Sequence, residues 1–170
     1  ISQPAWVQGL RAYAWAPDSR QIYLTRAHEG FRKAFCLDLE SECEVPLEAL
    51  NDFTDVTQIC VSPGRAEIAC IASSSRVPAR LFSITTDGAR NTRASSCSQE
   101  IAPSALSQAL PIYGSSGDAE RIHGLYYPAV GPGGDEPPPL IVDVHGGPTG
   151  QQTAVYSSEV PFFTSRGYAY

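Results

Sequence analysis

Leu140-Ile141-Val142-Asp143-Val144-His145-Gly146-Gly147-Pro148 is a short apolar run that ends in two glycines and a proline. An apolar run of this length, bounded by such breakers, is typical of a buried strand followed by a tight loop. In open α/β sheets, ligands bind just outside the carboxyl ends of the strands. We therefore predict a buried strand over residues 140–144 and a ligand-facing loop immediately after it.

The two glycines of this loop have a chemical use. Gly146 and Gly147 can take positive φ angles, and they allow the backbone to come close to a ligand. Their N–H groups can then point at a developing negative charge, which is what an oxyanion hole requires. In the α/β-hydrolase scheme, one donor comes from this first strand-to-helix loop. The loop is thus a candidate oxyanion loop, although a plain Gly-Gly-Pro turn remains an open alternative.

The residues that flank the glycines are predicted to support the loop. His145 would hold it through ring hydrogen bonds, and Pro148 would stiffen it. A general-base role for His145 is disfavoured, because α/β hydrolases order their triad as nucleophile, acid and histidine, and His145 precedes any nucleophile. Asp143 is expected to meet a backbone or arginine partner and is not assigned to a triad.

No catalytic residue is predicted within these 170 residues. The nucleophile motif Gly-x-Ser-x-Gly is absent, and the nearest approach, residues 114–118, is interpreted as a hairpin turn. His28 and His123 have no partner at metal-ligand spacing, so neither a metal site nor a cofactor is predicted.

The first hundred residues contain short strands separated by turn signals, and their pattern recurs. Trp15-Ala16-Pro17-Asp18 aligns with Val61-Ser62-Pro63-Gly64 at a period of 46 residues (63 minus 17). Ile22 then falls on Ile68, and Leu37 lies within one residue of Ile84. A period in the forties with several short strands per copy is typical of a β-propeller blade. A generic antiparallel meander is the open alternative.

A change of architecture is predicted after the repeats. Residues 93–107 are small and polar, as expected of a connector. A strand, a turn and a second strand are predicted over residues 110–127, and a loop rich in glycine and proline over residues 130–139. This loop leads into the strand quoted first.

A short helix is predicted to begin at Ser158, which would cap it. Val160, Phe162 and Phe163 would form its buried face, and Gly167 would end it. Residues 168–170 look like the start of another strand. Strand, loop, helix and strand form the opening of an α/β layer.

Composition limits the classes of partner. The net charge is −6 and the chain has a single lysine, Lys33, which argues against nucleic-acid binding. No apolar run is long enough to cross a bilayer, so no membrane partner is expected.

Cys60 and Cys70 flank a predicted hairpin turn and could form a disulfide, but reduced and buried thiols are the favoured interpretation. The predicted location is cytoplasmic, and the oligomeric state is left open.

Several motifs occur in an order that resembles the prolyl oligopeptidase family of serine peptidases, and most closely its acylaminoacyl-peptidase and dipeptidyl-aminopeptidase branch. The blade-like repeat is the weaker part of the resemblance, since Val61 and Gly64 replace an aromatic residue and an aspartate. The more specific motifs are Ile122-His123-Gly124-Leu125-Tyr126-Tyr127-Pro128, Pro138-Pro139-Leu140-Ile141-Val142, His145-Gly146-Gly147-Pro148-Thr149 and Phe162-Phe163-Thr164-Ser165-Arg166-Gly167-Tyr168-Ala169.

The resemblance implies that the last blades of a β-propeller, residues 1–106, are followed by the first part of an α/β-hydrolase domain, residues 107–170. Gly147, with Gly146 beside it, would occupy the family's oxyanion-loop position. The Ser-Asp-His triad would lie beyond Tyr170. The chain would be a truncated, inactive piece of a peptidase that hydrolyses short peptides. Its partners would be a peptide substrate and the rest of its own propeller and hydrolase domains.

Two other functions remain open at this point. One is an esterase or lipase of the His-Gly-Gly-Gly type, which Pro148 and the upstream repeats disfavour. The other is a non-catalytic propeller module that binds partners. A Gly-x-Ser-x-Gly segment elsewhere in the full-length protein would decide between enzyme and module.

Overall fold

The computed structural model describes residues 8–98, 101–115, 117, 120–131, 136–147 and 150–170. Strands make up most of the regular structure. They are β1 (Tyr13–Trp15), β2 (Gln21–His28), β3 (Phe31–Asp38), β4 (Glu44–Pro46), β5 (Asp55–Val61), β6 (Glu67–Ser74), β7 (Val77–Thr85), β8 (Arg90–Ser95), β9 (Leu110–Ser115) and β10 (Arg121–Tyr126). Among the described residues, one α-helix, α1 (Glu159–Thr164), lies near the end of the chain, and two short 3-10 helices occupy Glu48–Leu50 and Pro103–Ala105.

Strands β1 to β8 form two antiparallel sheets of four strands each. Strands β1, β2, β3 and β4 pair in chain order, and so do β5, β6, β7 and β8. A parallel bridge between Arg32 and Asp55 joins the two sheets. Consecutive four-stranded antiparallel sheets of this kind are the building units of a propeller. We call them blade 1 and blade 2.

The repeat predicted from the sequence is confirmed in the strand register. Both blades place their first and second strands in the same alignment, offset by the predicted period, and the third strands differ by one residue. The equivalent cross-strand pairs are Trp15 with Ile22 and Val61 with Ile68, followed by Ile22 with Leu37 and Ile68 with Ile84.

The outer strand of each blade was not predicted. Strand β4 has three residues, and all six residues of β8 are exposed. Neither strand carries the apolar alternation of a half-buried strand. Their hydrogen bonds to β3 and β7 define them, and such pairing leaves no clear periodic signal in the sequence.

The main core lies between the two blades. The largest side chain that is almost fully buried is Phe82, which packs at 5.0 Å between ring centroids against Phe53. The Arg90 guanidinium lies over both rings, 5.0 and 5.1 Å from their centroids, and makes two hydrogen bonds to the Asp52 carboxylate. Arg90 therefore ties the edge of blade 2 to the crossover that leaves blade 1.

The predicted strand pair over residues 110–127 is confirmed as the β9–β10 hairpin, with Leu110 opposite Tyr126 and Ser115 opposite Arg121. The hairpin packs on the β2–β3 turn of blade 1. A Cβ atom built on Gly30 would lie only 3.0 Å from the Leu125 side chain. The absence of a Cβ atom at Gly30 therefore lets the Leu125 side chain come close. It also allows the positive φ of 81° at this position.

The prediction of a buried strand over residues 140–144 was wrong. Leu140 makes one parallel bridge to Ala169, and Val142 and Val144 are 71% and 80% exposed. An apolar run is buried only when other elements cover it on both faces. Among the described residues, Ala169 alone pairs with this segment, through the bonds from Ile141 N to Ala169 O and from Ala169 N to Pro139 O.

Helix α1 occupies the predicted position, but two details differ. The hydroxyl of Ser157 accepts a hydrogen bond from the N–H of Glu159 in the first turn. Ser158, at the N-cap, makes no capping hydrogen bond through its side chain among the described residues. Phe162 is 53% exposed rather than buried. Gly167 follows the helix with φ +86°, as expected of a residue that ends one.

The cysteines of the blades are thiols. Cys36, Cys43, Cys60 and Cys70 form no disulfide. Burial raises the pKa of Cys70 to about 12, with Cys60 nearby as a smaller cause. The favoured interpretation of a reduced, buried residue is confirmed for Cys70. In the β5–β6 pairing, Cys60 lies opposite Ala69 and not opposite Cys70.

The described residues include no helix with the length and apolarity needed to cross a membrane.

We expect the isolated chain to self-associate. Val142, Val144 and Leu140 expose large apolar side chains on one extended segment, and strand β8 presents an open edge. Sedimentation velocity at several concentrations should show species larger than the monomer that grow with concentration. A monomer with a sharp, concentration-independent two-state melt would contradict this expectation.

Candidate functional site

The candidate site is the glycine loop, defined as residues 145–147 and 150. Gly147 has φ +77°, in the left-handed region that favours glycine, and Gly146 has open space around the position of a Cβ atom. Both residues and His145 are exposed. The loop is thus exposed to solvent, and the role of its N–H groups as oxyanion donors stays a prediction.

Gly150 packs directly on the carbonyl group of Gly146. A Cβ atom built on Gly150 would lie 2.7 Å from Gly146 O and 3.2 Å from His145 Nδ1. Any larger residue would force the loop apart, because real Cβ atoms do not approach backbone oxygen so closely. Gly150 was not singled out from the sequence, since a lone glycine in a loop carries no signal of close approach.

His145 makes one local contact, with Nδ1 3.4 Å from Gly146 O. Its role as a scaffold for the loop stays a prediction. Pro148, the other residue assigned to that role, lies outside the described residues.

The side chain of Asp143 links the extended segment to other residues of the same chain. Its carboxylate accepts a hydrogen bond of 3.3 Å from the Gln152 amide and lies near the hydroxyl of Tyr170. Burial raises the pKa of Tyr170, and the Asp143 charge raises it further. The expected backbone or arginine partner of Asp143 is replaced by these two side chains.

Residues 153–156 follow the glycine loop and lie across the junction of the two blades. We call them the docking segment. The Ala154 N–H donates to Gly30 O of blade 1 at 2.8 Å, and the Thr54 hydroxyl donates to Ala154 O. The Tyr156 N–H donates to the Ser73 hydroxyl of blade 2 at 3.1 Å. The segment is therefore bonded to both blades.

A buried ion pair lies beside the docking segment. Arg32 Nε is 3.6 Å from Asp55 Oδ1, and these two atoms have no hydrogen-bond partner within the described part of the chain. Burial raises the pKa of Asp55, and the Arg32 charge and the Thr153 hydroxyl oppose that rise. The pair sits at the bridge that joins the blades, so it lies where three parts of the molecule meet.

The other two histidines lie where the hairpin meets blade 1. His123 packs edge-on against the Tyr113 ring, and His28 Nε2 lies 3.6 Å from Glu29 Oε1. Glu29 accepts a hydrogen bond from the Tyr113 hydroxyl, which is the largest cause of its lowered pKa, and Arg121 lies 3.6 Å away. This exposed cluster holds the hairpin to the blade and is separate from the glycine loop.

Within the described ranges, no group of three or more histidine, cysteine or acidic side chains could hold a metal ion. A cleft of about 890 Å³ opens at the outer end of blade 2, between the blade and the connector after β8. Arg76, Arg80 and Tyr156 are among its lining residues, whereas the glycine loop contributes none.

The chain resembles solved peptidase structures over nearly its whole length. A puromycin-hydrolysing peptidase of Mycobacterium tuberculosis is 26% identical with a TM-score of 0.85, and a puromycin hydrolase is 28% identical with a TM-score of 0.82. Both alignments cover 98% of this chain and 25% of the other. The chain therefore spans about a quarter of the length of these proteins. No family model and no curated protein sequence matches it.

More distant neighbours share the fold. A prolyl endopeptidase is 12% identical with a TM-score of 0.75, and the acylaminoacyl peptidase of Pyrococcus horikoshii is 18% identical with a TM-score of 0.61. The class that these neighbours define is a serine peptidase, and the fold of this chain matches their propeller-type domain. The neighbours are members of the prolyl oligopeptidase family, so the resemblance inferred from the sequence is confirmed.

Proposed function

We propose that this chain provides propeller blades and the oxyanion loop of a serine peptidase that hydrolyses short peptides, releasing N-terminal acylaminoacyl or dipeptidyl groups. The observation that carries the proposal is the exposed glycine loop, with Gly147 at φ +77° directly after a segment that pairs in parallel with Ala169. Identities of 26% and 28% to puromycin-hydrolysing peptidases over 98% of the chain support it.

The proposal assigns the two parts of the chain different roles. Residues 1–106 are propeller blades that restrict access, so that peptides enter and folded proteins do not. Residues 107–170 begin the α/β-hydrolase domain. The Gly147 N–H donates to the oxyanion of the tetrahedral intermediate, and His145 and Pro148 hold the loop in place. The Ser-Asp-His triad and the second oxyanion donor come from residues that this chain does not contain.

The test is turnover by the full-length protein. We expect it to cleave aminoacyl, acylaminoacyl or dipeptidyl p-nitroanilides, and a serine-directed fluorophosphonate should abolish that activity. The isolated chain of 170 residues should show no turnover above background. Repurified isolated chain with triad-type turnover would refute the assignment of the triad to other residues.

The same panel separates the alternatives. Turnover of p-nitrophenyl esters without any cleavage of peptide amides would favour an esterase. A full-length protein that cleaves nothing and takes no fluorophosphonate label would favour a non-catalytic propeller module.

A further inference from the structure

The docking segment connects the glycine loop to the blades through a short run of chain. Gly150 lies against Gly146 O, and the first residue of the docking segment follows three positions later. Because so few residues connect them, the distance between the loop and the segment can change only a little. A displacement of the docking segment would therefore be transmitted to Gly146 and Gly147.

Two hydroxyl groups of the blades hold this segment. Thr54 lies in the crossover between the blades and donates its hydroxyl to Ala154 O, while Ser73 of β6 accepts from the Tyr156 N–H. Thr54 and Ser73 are also bonded to each other, from Thr54 N to Ser73 O at 3.0 Å. The two residues are therefore joined at the seam between the blades.

The surroundings make these hydroxyl groups hard to replace with water. Ala154 is fully buried and Ser73 is 5% exposed. A buried peptide group that loses its hydrogen bond also loses stability, because solvent cannot reach it to compensate. Removing either hydroxyl would thus weaken the hold on the docking segment rather than exchange it for a bridging water.

We propose that Thr54 and Ser73 are positioning residues for the glycine loop, holding it through the docking segment so that the blades set the orientation of the oxyanion donor. The proposal rests on the proposed function for its catalytic consequence. Its structural part, the hold of the blades on residues 145–156, is independent of any activity.

Thr54→Val in the full-length protein is the main test, since valine preserves the shape and removes the hydroxyl. Hydrogen exchange by mass spectrometry should show at least about 10-fold faster exchange in peptides covering residues 143–156, because the buried bond is lost. Steady-state kinetics should show kcat reduced by about 10- to 100-fold with KM nearly unchanged, since misplacement of a catalytic group acts on the transition state. Ser73→Ala, expected to act in the same way, is a second variant if Thr54→Val fails to fold.

Thr86→Val is the matched control. Thr86 is an exposed threonine in the turn between β7 and β8, at the end of the β6–β7 hairpin opposite Ser73, and removal of its hydroxyl should change neither readout. Unchanged exchange over residues 143–156 in a folded Thr54→Val or Ser73→Ala variant would overturn the proposal. Faster exchange with unchanged kcat would overturn the positioning role. If the wild-type protein has no turnover, the proposed function fails, but the exchange measurement still decides whether the blades hold the loop.

Discussion

Gly147→Pro in the full-length protein is expected to lower kcat by roughly 100-fold or more, because it deletes the N–H assigned to the oxyanion. The structure adds a second reason. Gly147 has φ +77°, whereas proline is restricted to about −65°, so the substitution also moves the loop. The measurement is kcat and kcat/KM on the p-nitroanilide that the wild-type protein cleaves best.

Two alanine variants separate the lost N–H from the altered backbone. Gly147→Ala keeps the N–H but places an L residue in the left-handed region, at a cost of about 1–2 kcal/mol, so a smaller loss of roughly 10-fold is expected. Gly146→Ala has open space around its Cβ atom and no positive φ, so its kcat should stay close to wild type. A Gly147→Pro enzyme with wild-type kcat would remove Gly147 from the mechanism.

Phe82→Ala is expected to destabilise the chain by about 3–5 kcal/mol, the usual cost of removing a buried aromatic ring and leaving a cavity. Phe82 is 2% exposed and contacts both the Phe53 ring and the Arg90 guanidinium between the blades. Chemical denaturation of the full-length protein, followed by far-UV circular dichroism at the same protein concentration for each variant, measures the change.

Leu81→Ala is the control for this prediction, because Leu81 is the neighbouring residue of β7 and is 40% exposed. Its loss should cost less than about 1 kcal/mol, since little apolar surface returns to water. Equal destabilisation by the two variants would contradict the assignment of the core to the space between the blades.

The blades could be predicted because their signals are local. Turn residues at Pro17 and Pro63 recur with the strands around them, and the predicted alignment of Ile22 with Ile68 is the alignment observed. The exposed strands β4 and β8 could not be predicted, because pairing with a neighbour defines them and their side chains have no buried face.

In the candidate site, too, some features follow from local residues and others depend on contacts between distant residues. The prediction that Gly146 and Gly147 form a loop able to take positive φ rests on their lack of a Cβ atom, which is a property of the residues themselves. The assignment of the Gly147 N–H as an oxyanion donor stays a proposal. The hold of Thr54 on Ala154 joins residues 100 positions apart, and no local pattern around either residue indicates it.

By itself, the sequence determined where the chain turns, the period of the blades, and the place where two glycines interrupt an apolar run, since each depends on the conformational preferences of nearby residues. Only the tertiary structure decided which apolar residues are covered. Val142 and Val144 have the composition of a buried strand and yet are exposed, while Ala154 is fully buried. Burial is a property of the elements that pack around a residue, so a local pattern can predict it only when those elements are present.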